Sequence, residues 1–186
     1  MKSIESMEKY DEVKLAEIRY GLEGFYLTMS KLIIIIPLAF ILNTAFYTLI
    51  FLLFSLPIRT TSSGFHANTS FQCLIISILA FILVPLLATH FILPVIAKCI
   101  IYFCLLIGFW IMAPKDSEKK PIVNNKKRFW LKIVSVSIIV VYFFISFFVN
   151  NTIENLMILA LITQAIMISP IPYLLFKQKY NFKWFK

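Results

Sequence analysis

Apolar residues gather in five runs, 32–58, 71–89, 91–113, 129–149 and 155–176, separated by short polar segments. A membrane-crossing helix needs about 20 apolar residues, and the last four runs each supply that length. The first run is different. As one helix its 27 residues would extend roughly 40 Å. That is long for a single upright crossing and short for two. Pro37 and the pair Asn43-Thr44 interrupt it, so the pattern predicts either a tilted span or a helical hairpin that enters and returns. The expected fold is all-α: a polytopic membrane helical bundle. It has four spans plus an N-terminal re-entrant or additional helix pair, and forms one membrane-embedded domain over 1–186.

Charge orders these elements. The segment 114–128 carries six Lys/Arg against two acids, and the tail 177–186 adds four lysines and no acid. An excess of Lys and Arg marks cytoplasmic loops. Two spans separate the loop from the tail, and two more separate it from the polar segment 59–70. All three are therefore expected on the cytoplasmic side, with Thr89-His90 and Asn150-Asn151 turning outside. Residues 1–31 hold five Lys/Arg and six acids, with Val13, Leu15, Ile18, Leu22 and Phe25 as a loose apolar stripe. That pattern predicts an amphipathic helix on the cytoplasmic surface and favours the hairpin. The alternative is a solvated arm followed by one tilted span. The stretch lacks the short basic-then-apolar design of a secretory signal, so the runs are expected to remain as spans.

Composition narrows the function classes. Of 186 residues, 60% are hydrophobic, against the 45–50% or so usual for soluble chains. The net charge of +9 sits beside the spans rather than in a basic domain. It is read as topology determinants meeting anionic lipid, not as a nucleic-acid surface. Three cysteines without a CxxC pair argue against a metal site or a disulfide scaffold; no metal and no organic cofactor are expected. Cys99 and Cys104, five apart in one run, are read as packing residues. Lys98, eight residues into its run, is expected to snorkel to the outer interface, the alternative being an inward-facing path for a peptide.

The polar segment Arg59–Cys73, RTTSSGFHANTSFQC, holds a thiol and an imidazole seven residues apart. A catalytic cysteine attacks as the thiolate, which a neighbouring imidazole or a helix N-terminus favours. With Ser70 as N-cap, Cys73 would fall in the first helical turn, where unpaired amides gather and can also stabilise an oxyanion. On one unbroken helix the two residues would stand about 10 Å apart along the axis, so the chain must bend between His66 and Cys73. Asn68, Thr69 and Ser70 suit a bend, and Gly64 permits a close approach. A loop histidine and an unrelated helix-start cysteine remain the alternative. Arg59 either snorkels to lipid phosphates or binds substrate carboxylates and orients the loop.

The pattern Arg59-TTSS-Gly64-Phe65-His66-Ala67-NTSFQ-Cys73 resembles the accessory gene regulator B (AgrB) family of membrane endopeptidases in bacterial peptide quorum sensing. Ala113-Pro114 followed by Lys119-Lys120-Pro121-Ile122, the hydrophobic layout and the lysine-rich tail match as well, so the likeness covers most of the chain. The resemblance implies a multi-pass bacterial cell-membrane cysteine endopeptidase with Cys73 as nucleophile and His66 as base. Arg59 and Gly64 match positions important in the family, and Ser70 falls at a small hydroxyl-type position. The implied substrate is an AgrD-like pro-peptide. Its C-terminal tail is removed through a thioester on the enzyme, and an internal cysteine or serine then closes a thiolactone or lactone. Lys119, Lys120, Lys126, Lys127 and Arg128 chiefly fix topology and are candidates to attract the acidic tail of such a pro-peptide.

A small bundle has little protein surface with which to enclose a substrate, which favours a homodimer. The rival readings are a non-enzymatic peptide transporter or exporter component, a structural membrane protein, and a thiol acyltransferase using the same dyad.

Overall fold

The computed structural model describes residue 22, residue 26 and residues 29–65, 69–90, 92–115 and 125–176. Among them every regular element is a helix. Five are long and apolar enough to cross a membrane. Most of the expected amphipathic helix over 1–31, most of the 114–128 loop and the whole 177–186 tail lie outside the described residues, as does His66.

The run 32–58 divides into α1, Met29–Ile41, and α2, Ala45–Ser62. Pro37 sits within α1 without ending it. The break comes at Asn43, which adopts a positive φ of 55°. Its amide donates to the Phe40 carbonyl at 3.1 Å, and the Thr44 amide donates to Ala39 at 2.9 Å. This is a Schellman closure, and asparagine tolerates the left-handed position it requires. Thr44 then opens α2 by accepting from the Thr48 amide at 2.9 Å.

At 13 residues, α1 is about 20 Å long, short of a bilayer core of about 30 Å. Lys31, near its start, and Arg59, near the end of α2, both lie beside Cys73. The pair is therefore a hairpin, and α2 supplies a fifth span-length helix beyond the four that the other runs predict.

The next run is α3, Ser70–Ile78, continued by a π-helical turn at Leu79–Leu83 and by α4, Val84–Ala88. Then come α5 at Val95–Met112, α6 at Asn125–Ser146, α7 at Asn151–Ile168 and the short α8 at Pro170–Leu175. The helix α6 begins at Asn125, so Lys126, Lys127 and Arg128 form its first turn rather than the end of a loop.

The centre of the bundle is α7. Half of its 18 residues are buried, including Glu154, Asn155 and Gln164, because polar groups at membrane depth turn toward protein. On α2, Phe51 and Ile58 point inward while Phe46, Leu49, Leu53 and Leu56 stay exposed, the outward face expected of a helix in lipid.

Opposite ends of the bundle carry different polar contacts. At one end the Lys115 amide donates to the Ser62 carbonyl at 3.0 Å, and Phe65 donates to Met167 at 2.9 Å. These bonds gather 59–65, the start of 114–128 and the end of α7, as the charge pattern requires. At the other end Asn155 Nδ2 donates to the Ala88 carbonyl at 2.9 Å, and Lys98 pairs with Glu154. That ion pair corrects the snorkelling expectation for Lys98. A carboxylate buried in the same layer offers a stronger partner than the distant interface.

Candidate active site

Thr69 takes extended backbone angles, and its Oγ1 accepts from the Gln72 amide at 3.3 Å. Thr69, not Ser70, is therefore the N-cap, and the helix begins one residue earlier than the sequence suggested. Cys73 stays in the first turn, but its amide is bonded to the Thr69 carbonyl at 3.1 Å. Of the first-turn amides for which an α-helix offers no carbonyl, that of Gln72 is met by Thr69 Oγ1, and the others are those of Ser70 and Phe71. Nothing is described for the Ser70 side chain. The segment 59–73 is not one continuous helix, since α2 ends at Ser62 and α3 opens at Ser70.

The turn after α2 is pinned to the central helix. Gln164, itself buried, donates through Nε2 to Ser62 Oγ at 2.7 Å and to the Ser63 carbonyl at 2.6 Å. Ser63 and Gly64 both have positive φ, 55° and 122°. Any Cβ on Gly64 would lie 3.0 Å from the Met167 carbonyl oxygen, so glycine is needed for both the conformation and the approach. Phe65 then turns its ring into a cluster with Cys73, Ile76, Met167, Tyr173 and Phe176. The Phe65 and Tyr173 rings meet edge to face at 5.5 Å.

Cys73 is half-buried and lines a small pocket with Arg59, Ser55, Ser77 and Gln164. Its free volume of about 30 Å³ holds a water or a carbonyl group, not a peptide side chain. Ser55 Oγ is buried there with no hydrogen-bond partner among the described residues. Arg59 occupies the last turn of α2, where its charge complements the helix dipole, and it lines this pocket. Lys31 Nζ lies 3.0 Å from Cys73 Sγ. Ser77 Oγ donates to the Cys73 carbonyl at 2.7 Å, fixing that turn of α3.

The structure therefore brings Cys73, Arg59 and the Gly64 turn together. His66, Lys119 and Lys120 lie outside the described residues. Lys126 and Lys127 are exposed and Arg128 is half-buried at the same end of the bundle. Lys31, Gln164 and Ser55 were not candidates in the sequence. The one signal for Gln164 was an amide in the middle of the apolar run 155–176.

A helical bundle with five span-length apolar helices and a half-buried thiol at one rim defines a multi-pass membrane protein with a candidate cysteine site. A family model described as accessory gene regulator B matches residues 1–168, and the chain belongs to that family. Accessory gene regulator protein B of Staphylococcus aureus strain MRSA252 is 32% identical over 176 residues, covering 91% of this chain and 90% of that relative. Its counterpart in strain Newman is 29% identical over 171 residues, covering 90% and 88%. That of Staphylococcus carnosus strain TM300 is 26% identical over 160 residues, covering 86% and 83%. No solved structure matches the chain.

Proposed function

We propose that this protein is a membrane cysteine endopeptidase that processes an AgrD-like pro-peptide in agr quorum sensing. Cys73 attacks the carbonyl at the cleavage site, His66 takes and returns the proton, and the C-terminal tail departs as an amine. The remaining peptide stays on Cys73 as a thioester. An internal thiol or hydroxyl of the peptide then displaces the sulfur and closes a thiolactone or lactone. The thioester conserves the energy of the cleaved amide, and a site at a dehydrated rim protects it from water.

One observation carries this reading. Cys73 stands in the first turn of α3, facing a pocket that Arg59 also lines. A helix N-terminus and a guanidinium both favour negative charge at the sulfur and at a developing oxyanion. The pocket volume of about 30 Å³ suits the reacting carbonyl, so the rest of the peptide lies along the rim. Family membership supports involvement with an AgrD pro-peptide. The charge pattern supports a cytoplasmic site and C-terminus.

The test is co-expression with the cognate pro-peptide. Cys73→Ala and His66→Ala each abolish tail removal while the protein still inserts in the membrane. Normal processing by Cys73→Ala overturns the proposal and favours a transporter.

A further inference from the structure

Nothing in the sequence around Lys31 singles it out; it precedes a run of apolar residues as many snorkelling lysines do. Its position in the fold is different. Lys31, Ile35 and Ala39 are spaced i, i+4, i+8 and share one face of α1. Ile35 and Ala39 are each only 1% exposed and pack with Ile78 of α3 and Ile82 of the π-helical turn that continues it. That docking fixes the register of α1 and brings Lys31 Nζ to 3.0 Å from Cys73 Sγ.

A thiol is a weak hydrogen-bond acceptor, so an ammonium placed on it gains little. A thiolate in the same place makes a charge-assisted bond. The neighbourhood has the matching sign. Among the titratable groups packed around the sulfur, α1 supplies Lys31, α2 supplies Arg59 and α8 supplies the Tyr173 phenol. The sole carboxylate among the described residues is Glu154, committed to Lys98 at the other end of the bundle.

We infer that Lys31 is a catalytic residue whose ammonium stabilises the negative charge on Cys73 Sγ as the sulfur attacks and again as it departs. This rests on Cys73 being the nucleophile. Lys31 keeps its proton throughout. The thiol proton passes to His66, and the sulfur pair forms the C–S bond as the carbonyl pair moves to oxygen. Collapse restores the carbonyl and breaks the C–N bond, and the released amine takes the proton from His66. During ring closure the peptide thiol or hydroxyl gives its proton to His66. The C–S bond to Cys73 then breaks, the sulfur leaves with the electron pair beside Lys31, and the proton on His66 returns to it. The same cation therefore assists both attack and departure, since a stabilised thiolate leaves faster.

The experiment measures iodoacetamide alkylation of Cys73 against pH. It uses the detergent-solubilised full chain in a Cys99→Ser, Cys104→Ser background. Lys31→Met slows alkylation at neutral pH by about tenfold and moves the midpoint to higher pH, whereas Lys31→Arg stays near the parent. Lys31→Gln, which keeps length and polarity, behaves as Lys31→Met and serves where the latter fails to fold. An unchanged profile in Lys31→Gln, or an equal shift in Lys31→Arg, overturns the inference. So does a rise in KM for the pro-peptide with alkylation unchanged, which would make Lys31 a substrate-anion contact. The alkylation readout does not depend on peptide processing. Intact processing by Cys73→Ala would therefore overturn the endopeptidase reading separately.

Discussion

Gly64 and Met167 approach so closely that a Cβ on the glycine would sit 3.0 Å from the Met167 carbonyl oxygen. This contact, together with the bond from the Phe65 amide to that oxygen at 2.9 Å, ties the segment leading to His66 onto α7. Gly64 also holds a φ of 122°, which an L residue adopts at a cost of about 1–3 kcal/mol. Gly64→Ala is predicted to lower pro-peptide cleavage at least tenfold while circular dichroism still reports a folded bundle. Wild-type cleavage by this variant would show that the turn does not position the site.

Gln164, three residues before Met167 on α7, holds the same turn. Gln164→Leu strands the Ser63 carbonyl and is predicted to destabilise the protein by about 1–3 kcal/mol, the cost of an unmet buried polar group. Ser62 Oγ still donates to the Ile58 carbonyl at 2.6 Å in that variant, so adding Ser62→Ala should cost less there than it does in the parent. Thermal unfolding of the two single variants and the double variant measures the coupling. Strict additivity contradicts the network.

Lys98 and Glu154 form a pair whose side chains are 16% and 3% exposed. Removing one partner of a buried pair costs about 3–5 kcal/mol, whereas removing both costs far less. Lys98→Met and Glu154→Gln should therefore each lower Tm in detergent, and the double variant should lie nearer the parent. Because the pair sits at the far end of the bundle, Cys73 alkylation should stay unchanged in any variant that remains folded. Altered alkylation in such a variant would show that the two ends are coupled.

The membrane layout was legible because hydropathy and charge act locally. Runs of apolar residues set the spans, and lysine-rich segments set which loops share an end. The hairpin was half-legible. Asn43 marked the break, while Pro37, equally suspect in sequence, was accommodated inside α1. The place of Cys73 at a helix start was legible, although the cap proved to be Thr69. The partners of these groups were not legible. Lys31 meets Cys73 across 42 positions, Lys98 meets Glu154 across 56, and Gln164 meets Ser63 across 101. Helix packing alone creates such pairs, and no local pattern announces them.

The basic residues Lys126, Lys127 and Arg128 fall in the first turn of α6, which contains no acidic residue of its own. Three like charges on one helical turn attract an acidic peptide tail. Replacing all three by glutamate is predicted to raise KM for an acidic-tailed pro-peptide by roughly five- to tenfold, with kcat within about twofold. Orientation in the membrane is checked in parallel by loop-cysteine labelling. Unchanged KM in correctly oriented protein contradicts a role in tail binding.

The most direct measurement is intact-mass spectrometry of the protein trapped during turnover of its pro-peptide. The account predicts a mass increase equal to the peptide without its C-terminal tail. The adduct should map to Cys73, be released by hydroxylamine and be absent in Cys73→Ala. Tail removal that proceeds with no adduct on Cys73, or with the adduct on Cys99 or Cys104, would contradict it.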